Sequence, residues 1–174
     1  MNRWHVIFVL TLLFGGGWVW ANRLPVAAQP DVRTPQPAVD HPAPDFILTT
    51  LAGDEFNLSE NLGQPVVLNF WATWCGPCQR ELPTLQAAAE RYGARVKIIG
   101  IDQGEESQVV QDFVDQFNLT YPIPLDPATN VGEQYQVRGL PTTYFIDPDG
   151  TIRQIWMGEM NSITLAEGVA QLLR

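Results

Sequence analysis

The strongest constraint on this chain is a pair of cysteines, Cys75 and Cys78, placed where one kind of sequence gives way to another. Before them runs the apolar, β-branched stretch Val66-Val67-Leu68-Asn69-Phe70-Trp71, and after them residues 77–92 carry apolar side chains at helical spacing. The first reads as a central strand buried on both faces and the second as an amphipathic helix. The pair therefore falls at a strand-to-helix junction, and these are the only cysteines in the 174-residue sequence. A disulfide across so short a loop restricts the unfolded chain little, so stapling is a weak use for it. A structural zinc needs four ligands, and the only histidines, His5 and His41, are read as lying outside the compact region. Reversible dithiol–disulfide chemistry is the main reading, ahead of metal binding or an inert pair.

The N-terminal part has a different character. Residues 4–21 form an almost uninterrupted apolar segment of 18 residues, about 27 Å long if helical and close to the ~30 Å hydrocarbon core of a bilayer. Val19-Trp20-Ala21 and Val26-Ala27-Ala28 resemble cleavage sites, but the length of the apolar run favours retention as an anchor over residues 1–21. A short N-terminal apolar segment usually exports the chain behind it, which places the remaining residues outside the cytoplasm on a single-pass membrane anchor. Residues 22–43 hold Pro25, Pro30, Pro35, Pro37 and Pro42 without any period, and read as a semi-extended tether reaching at most roughly 60 Å. Residues 44–174 make up the expected domain.

Charge narrows the partners. The whole chain carries −9, and from Asp40 onward 18 acidic residues against 7 basic give −11. Such a surface repels phosphate backbones and anionic headgroups, so nucleic-acid binding and a basic membrane patch are both excluded as main functions.

Within the domain, residues 46–51 and 56–58 flank Ala52-Gly53-Asp54-Glu55 and suggest a short N-terminal hairpin. Pro83 lies inside the helix after the cysteines and predicts a kink there, and Gly93 ends that helix. Residues 96–102 read as a strand, 107–117 as a helix, 121–125 as a short strand and 130–135 as a short helix. Residues 142–146 and 151–156 flank Asp147-Pro148-Asp149-Gly150 as a hairpin, and 162–173 form a last helix. The order predicts an α/β fold, a mixed sheet covered by helices on both faces, with the cysteines at the carboxyl end of a central strand where sites in such sheets lie.

Three separated blocks then carry a resemblance. Asn69-Phe70-Trp71-Ala72-Thr73-Trp74-Cys75-Gly76-Pro77-Cys78, Glu81-Leu82-Pro83 and Val137-Arg138-Gly139-Leu140-Pro141-Thr142-Thr143 resemble the thioredoxin superfamily, and within it the membrane-tethered TlpA/ResA-like thiol-disulfide oxidoreductases. The resemblance covers roughly residue 40 to the C-terminus. It implies a thioredoxin-like sheet with a central insert between Asp102 and Gln136, and a cis proline at Pro141 facing the cysteines. It also implies a protein disulfide as substrate, apocytochrome c being the family-typical one, and a membrane electron donor of CcdA/DsbD type. No cofactor or metal is expected. The chain departs from cytosolic thioredoxin at Asn69, which stands where thioredoxin has a buried Asp and which cannot take a proton.

On this reading Cys75, at the positive end of the helix, is the attacking thiolate, with a pKa lowered from ~8.5 toward ~7, and Cys78, one turn further in, resolves the mixed disulfide. Glu81 comes three residues after Cys78 on the same helical face, and in ResA-like relatives a glutamate at this position is linked to the thiols. It is the candidate proton acceptor; the plain alternative is a solvated carboxylate. Trp71 and Trp74 read as core and rim packing, Trp74 shielding the nucleophile. The Gly-Pro pair between the cysteines resembles reducing thioredoxins at about −270 mV rather than oxidants at about −120 mV. The alternatives are a disulfide-forming oxidant, a peroxiredoxin-type thiol peroxidase and a tethered copper chaperone. Peroxiredoxins need a threonine three residues before the cysteine, whereas Thr73 is two before. Copper-handling relatives use a wider cysteine spacing and a histidine that the domain lacks.

Overall fold

A computed structural model describes residues 34–174 of the chain. The expected anchor at residues 1–21 and most of the tether lie outside the described residues. Among the described residues no helix is long and apolar enough to cross a membrane.

The sheet grows outward from β3 (Val66–Trp71), all six of whose residues are buried. β4 (Lys97–Gln103) pairs with it in parallel, Val66 opposite Lys97 and Trp71 opposite Asp102. On the other side β6 (Thr142–Ile146) runs antiparallel, with Phe70 opposite Thr142, and β7 (Ile152–Met157) runs antiparallel to β6. A two-residue β5 (Leu125–Asp126) extends the β4 edge in parallel, giving the order β5-β4-β3-β6-β7. β1 (Ile47–Thr49) and β2 (Glu55–Asn57) form the separate hairpin, turned by Gly53 at φ +91°.

Side chains on a strand alternate between faces, so a strand buried on both sides feeds two cores. Val67 and Trp71 point to one, with Cys75, Cys78, Leu82, Leu85, Val110, Val114, Leu165 and Val169. Val66, Leu68 and Phe70 point to the other, with Phe46, Phe56, Tyr135 and Tyr144. The first core is roofed by α1 (Gly76–Tyr92), α2 (Ser107–Phe117) and α4 (Ser162–Leu172). The second is covered by the N-terminal hairpin and the short α3 (Asn130–Gln134). Helices thus cover both faces as expected, but very unequally.

Two local readings change. The expected strand at 121–125 narrows to Leu125–Asp126, because Pro122 and Pro124 have no N–H to donate. Their carbonyls still accept from Gly100 and Asp102 of β4, at 3.1 and 3.0 Å, so the pairing runs one way only. Pro83 lies inside α1 as expected, and the helical span runs from Gly76 to Tyr92. The end of the proline-rich stretch is folded: Asp40 donates to Ile152 O at 2.8 Å, Ile152 to His41 O at 2.9 Å and Ala43 to Gly150 O at 2.8 Å. His41 therefore belongs to the domain, beside β7, and the domain starts before residue 44.

The hairpin chemistry works as its residues suggest. Asp147 Oδ1 accepts from the amides of Asp149 and Thr151 at 3.0 and 2.9 Å, and Gly150 takes φ +84°.

Candidate active site

The chain leaves β3 at Trp71 and enters α1 through four residues. Cys75 caps the helix with extended backbone (φ −82°, ψ 103°), and its Sγ accepts the Cys78 amide at 3.2 Å. Pro77, in the first turn, gives up a donor that would be unpaired there in any case. Cys75 and Cys78 form a disulfide with S–S 2.05 Å. Cys75 is 5 % exposed and Cys78 1 %, so the sulfur nearer the surface is also the one at the helix end that favours negative charge.

The loop is tied down by side chains that sequence reasoning missed. Glu105, from the turn after β4, accepts from the Thr73 amide and the Thr73 hydroxyl, both at 2.6 Å. Gln79, from the first turns of α1, donates to the Thr73 carbonyl at 2.6 Å. Thr73 is thus held at its N–H, its O–H and its C=O, two residues before the cysteine. No sequence signal marks Glu105, because its partner lies 32 residues away.

Glu81 is on the same buried face of α1 as Cys78, Leu82 and Leu85, and it is 1 % exposed, so it is not a solvated carboxylate. Neither of its oxygens has a hydrogen-bond partner. Burial pushes its carboxyl up to about 8; the Met160 backbone group opposes this without completing a hydrogen bond, and the charge of Glu159 adds to it. Asn69 donates to Thr143 Oγ1 at 2.9 Å, while its own oxygen is unpartnered. A second buried carboxyl, Asp102 at the end of β4, is fully buried and likewise raised to about 8, first by burial and then by the neighbouring Glu105 carboxyl.

Pro141 sits after a cis Leu140–Pro141 peptide. Because Thr142 pairs with Phe70, Pro141 stands beside the end of β3 from which the cysteine loop departs. Cys75, Cys78 and Glu81 thus lie in the loop and first turns of α1 that follow β3, and Pro141 lies just before β6 at the same end of the sheet. Trp71 is fully buried, whereas Trp74, expected to cover the nucleophile, is 70 % exposed and projects beside it. Met157, at the end of β7 and paired with Thr142, is 80 % exposed. Two clefts, of about 320 and 460 Å³, run along Phe56, Thr120 and Tyr121 and include neither cysteine. The disulfide lies outside both clefts, at the end of the sheet that also exposes Trp74 and Met157. Among the described residues no group of three or more His, Cys, Asp or Glu could hold a metal ion.

Comparison with known proteins agrees with this geometry. The AhpC/TSA family matches residues 39–155. The chain is similar to the thiol-disulfide oxidoreductase ResA of Geobacillus kaustophilus, with 44 % identity over 124 residues and 71 % of each chain covered. It is similar to the thioredoxin-like protein YneN of Bacillus subtilis at 33 % over 164 residues, 92 % of each chain. Its fold matches a secreted Mycobacterium tuberculosis disulfide oxidoreductase homologous to DsbE, with TM-score 0.68 and 32 % identity, covering 73 % of this chain and 96 % of that one. With its cysteine pair closed at the head of α1, the chain belongs to the AhpC/TSA family of thioredoxin-like proteins and is a thiol-disulfide oxidoreductase.

Proposed function

We propose that this protein reduces disulfides of other proteins outside the cytoplasm, held to the membrane by residues 1–21. The observation that carries the reading is the asymmetry of the cysteines: Cys75 at the helix end and nearer the surface, Cys78 buried behind it beside the carboxyl-bearing face of α1. In the reduced protein the Cys75 thiolate attacks a substrate disulfide, forms a mixed disulfide and expels one substrate thiolate. The Cys78 thiolate then attacks Cys75 Sγ and expels the second, so two electrons pass to substrate and the Cys75–Cys78 disulfide forms. Glu81, raised to about 8, is matched to a thiol of ordinary pKa ~8.5, and in its ionised form, the minor one at neutral pH, takes the Cys78 proton as that sulfur becomes the attacker. Pro141 flanks the substrate strand beside Cys75.

The extracytoplasmic reading is supported by the apolar segment at residues 4–21 and by the secreted relative of known structure. A donor of CcdA/DsbD type in the membrane would return the oxidised form to the dithiol, and apocytochrome c is the proposed substrate. A peroxidase role is disfavoured by Thr73, whose hydroxyl is committed to Glu105 and not to the cysteine sulfur. Equilibration with glutathione tests the direction: a potential below about −180 mV is expected, and one above it would make the protein an oxidant instead. Cys78→Ser expressed in the full-length chain should trap substrate on Cys75. Capture of nothing, together with no redox phenotype for Cys75→Ser, would remove the reductase reading.

A further inference from the structure

The segment between β4 and β6 carries α2, β5 and α3, and it reaches the redox centre through one side chain. Glu105, in the turn between β4 and α2, accepts from the Thr73 amide and the Thr73 hydroxyl, both at 2.6 Å. Two donors of one residue taken by one carboxylate fix its orientation as well as its distance. The turn that offers Glu105 is itself secured. Gly104, at φ +79°, donates to Asp126 O at 3.0 Å, and the buried Asp126 carboxylate takes the Gln103 side-chain amide at 3.0 Å and the Gly132 amide at 2.9 Å. Gly132 admits no larger residue without a shift, since a Cβ there would stand 1.9 Å from Gln103 Oε1. On the other side of Glu105, the Glu106 carbonyl accepts from Val109 and Val110 at 3.0 and 3.3 Å and starts α2. Glu105 therefore projects from a turn fixed on both sides, as a preorganised acceptor needs.

What it holds is the tight turn that delivers the nucleophile. The Cys75 amide donates to Ala72 O at 3.2 Å, which puts Thr73 and Trp74 at the two middle positions, and Gln79 of α1 donates to Thr73 O at 2.6 Å. The course of this turn sets where Cys75 meets α1, and from that position Cys75 Sγ accepts the Cys78 amide at 3.2 Å. Stabilisation of negative charge by a helix end falls off within the first turn, so a sulfur that drifts from it loses the benefit. We propose that Glu105 is a positioning residue for the reacting sulfur: by holding Thr73 it keeps Cys75 at the amino end of α1, so that the segment between β4 and β6 tunes the thiolate without touching it. The hydrogen bonds of Glu105 go to Thr73 and not to a sulfur.

The inference rests on Cys75 as the attacking sulfur and not on the direction of electron transfer. It is tested in full-length Cys78→Ser, where Cys75 is the only thiol and its thiolate is followed by ultraviolet absorbance across pH. Adding Glu105→Ala should raise the Cys75 pKa by about half a unit to one unit, roughly a three- to ten-fold loss of thiolate at neutral pH, as loss of positioning hydrogen bonds predicts. Glu105→Gln should restore the parent value, because its Oε1 accepts the Thr73 amide and its Nε2 donates to the Thr73 hydroxyl oxygen. Thr73→Val, which loses only the hydroxyl, should give a smaller rise and add nothing on top of Glu105→Ala. Glu81 is present in every variant, so its own titration is common to all of them. A parent pKa at or above ~8.5 would remove Cys75 as the activated sulfur, and this inference with it. A lower parent value that Glu105→Ala leaves unchanged or lowers, a rise that Glu105→Gln shares in full, or a Thr73→Val effect undiminished beside Glu105→Ala would overturn the positioning role alone. Should Glu105→Ala not fold, Thr73→Val against Thr73→Ser decides: the valine is expected to raise the pKa and the serine to leave it, and equal values would overturn the proposal.

Discussion

The two faces of the central sheet are built from the same strands and differ in how their polar groups are treated. On the hairpin face the aromatic cluster is closed: Tyr135 donates to Pro44 O at 2.6 Å, Tyr144 donates to the Tyr135 carbonyl, and Phe46, Phe70, Tyr135 and Tyr144 meet at ring separations of 5.0 to 5.9 Å. On the cysteine face Trp71 Nε1, the Tyr121 hydroxyl, one Asn69 atom and the carboxyls of Glu81 and Asp102 are buried without partners. Unpartnered buried polar atoms are costly, and their concentration on the face that carries the disulfide marks where chemistry has been favoured over stability. The hairpin face holds the sheet together. The cysteine face keeps groups whose protonation can change.

The sharpest break of that comparison is at the sulfur itself: Cys75→Ser should abolish reduction of a model protein disulfide, while Tyr135→Phe on the other face leaves the rate per folded molecule unchanged. The next effect is in stability against pH. For Glu81 and Asp102 the folded protein keeps a proton, up to about 8, that the unfolded chain releases near 4.5 and 3.8. The folded state therefore binds more protons in that window, and stability is full below about pH 4 and falls as pH rises toward 8. Denaturation at pH 5 and pH 8 should show the loss in wild type, and Glu81→Gln and Asp102→Asn should each flatten it. A wild-type stability that rises across this window would contradict the assignment of both carboxyls. On the closed face, Tyr135→Phe should cost about 1–3 kcal/mol by leaving Pro44 O without its donor, with no dependence on pH between 5 and 8. The smallest effect belongs to the exposed Arg80–Glu159 pair at 2.7 Å: Arg80→Ala should change stability by less than about 1 kcal/mol, and added salt should erase the difference.

The legible part of this protein lies in periodicity and local chemistry. The six-residue run Val66–Trp71, the change to helical spacing after Cys75 and the Asp147–Gly150 turn specify β3, α1 and the β6–β7 hairpin, because each is decided by residues within a few positions of one another. The strand expected before Asp126 shrinks for a local reason as well, its two prolines. α1 spans Gly76–Tyr92 with Pro83 inside it, and Leu82 and Leu85 beside that proline are buried in the core.

For the site, the sequence determined the pair of sulfurs, their order and the helix end beneath Cys75, since a spacing of three and a proline in the first turn leave little choice. Only the tertiary structure decided what surrounds them. Burial turned Glu81 from an ordinary helix carboxylate into one raised to about 8, and parallel pairing of β4 with β3 set Asp102 and Glu105 behind Thr73. The physical reason is that a carboxyl's behaviour depends on solvent and on neighbours far away in the chain, which folding brings to within a few ångströms and which residue order alone does not encode.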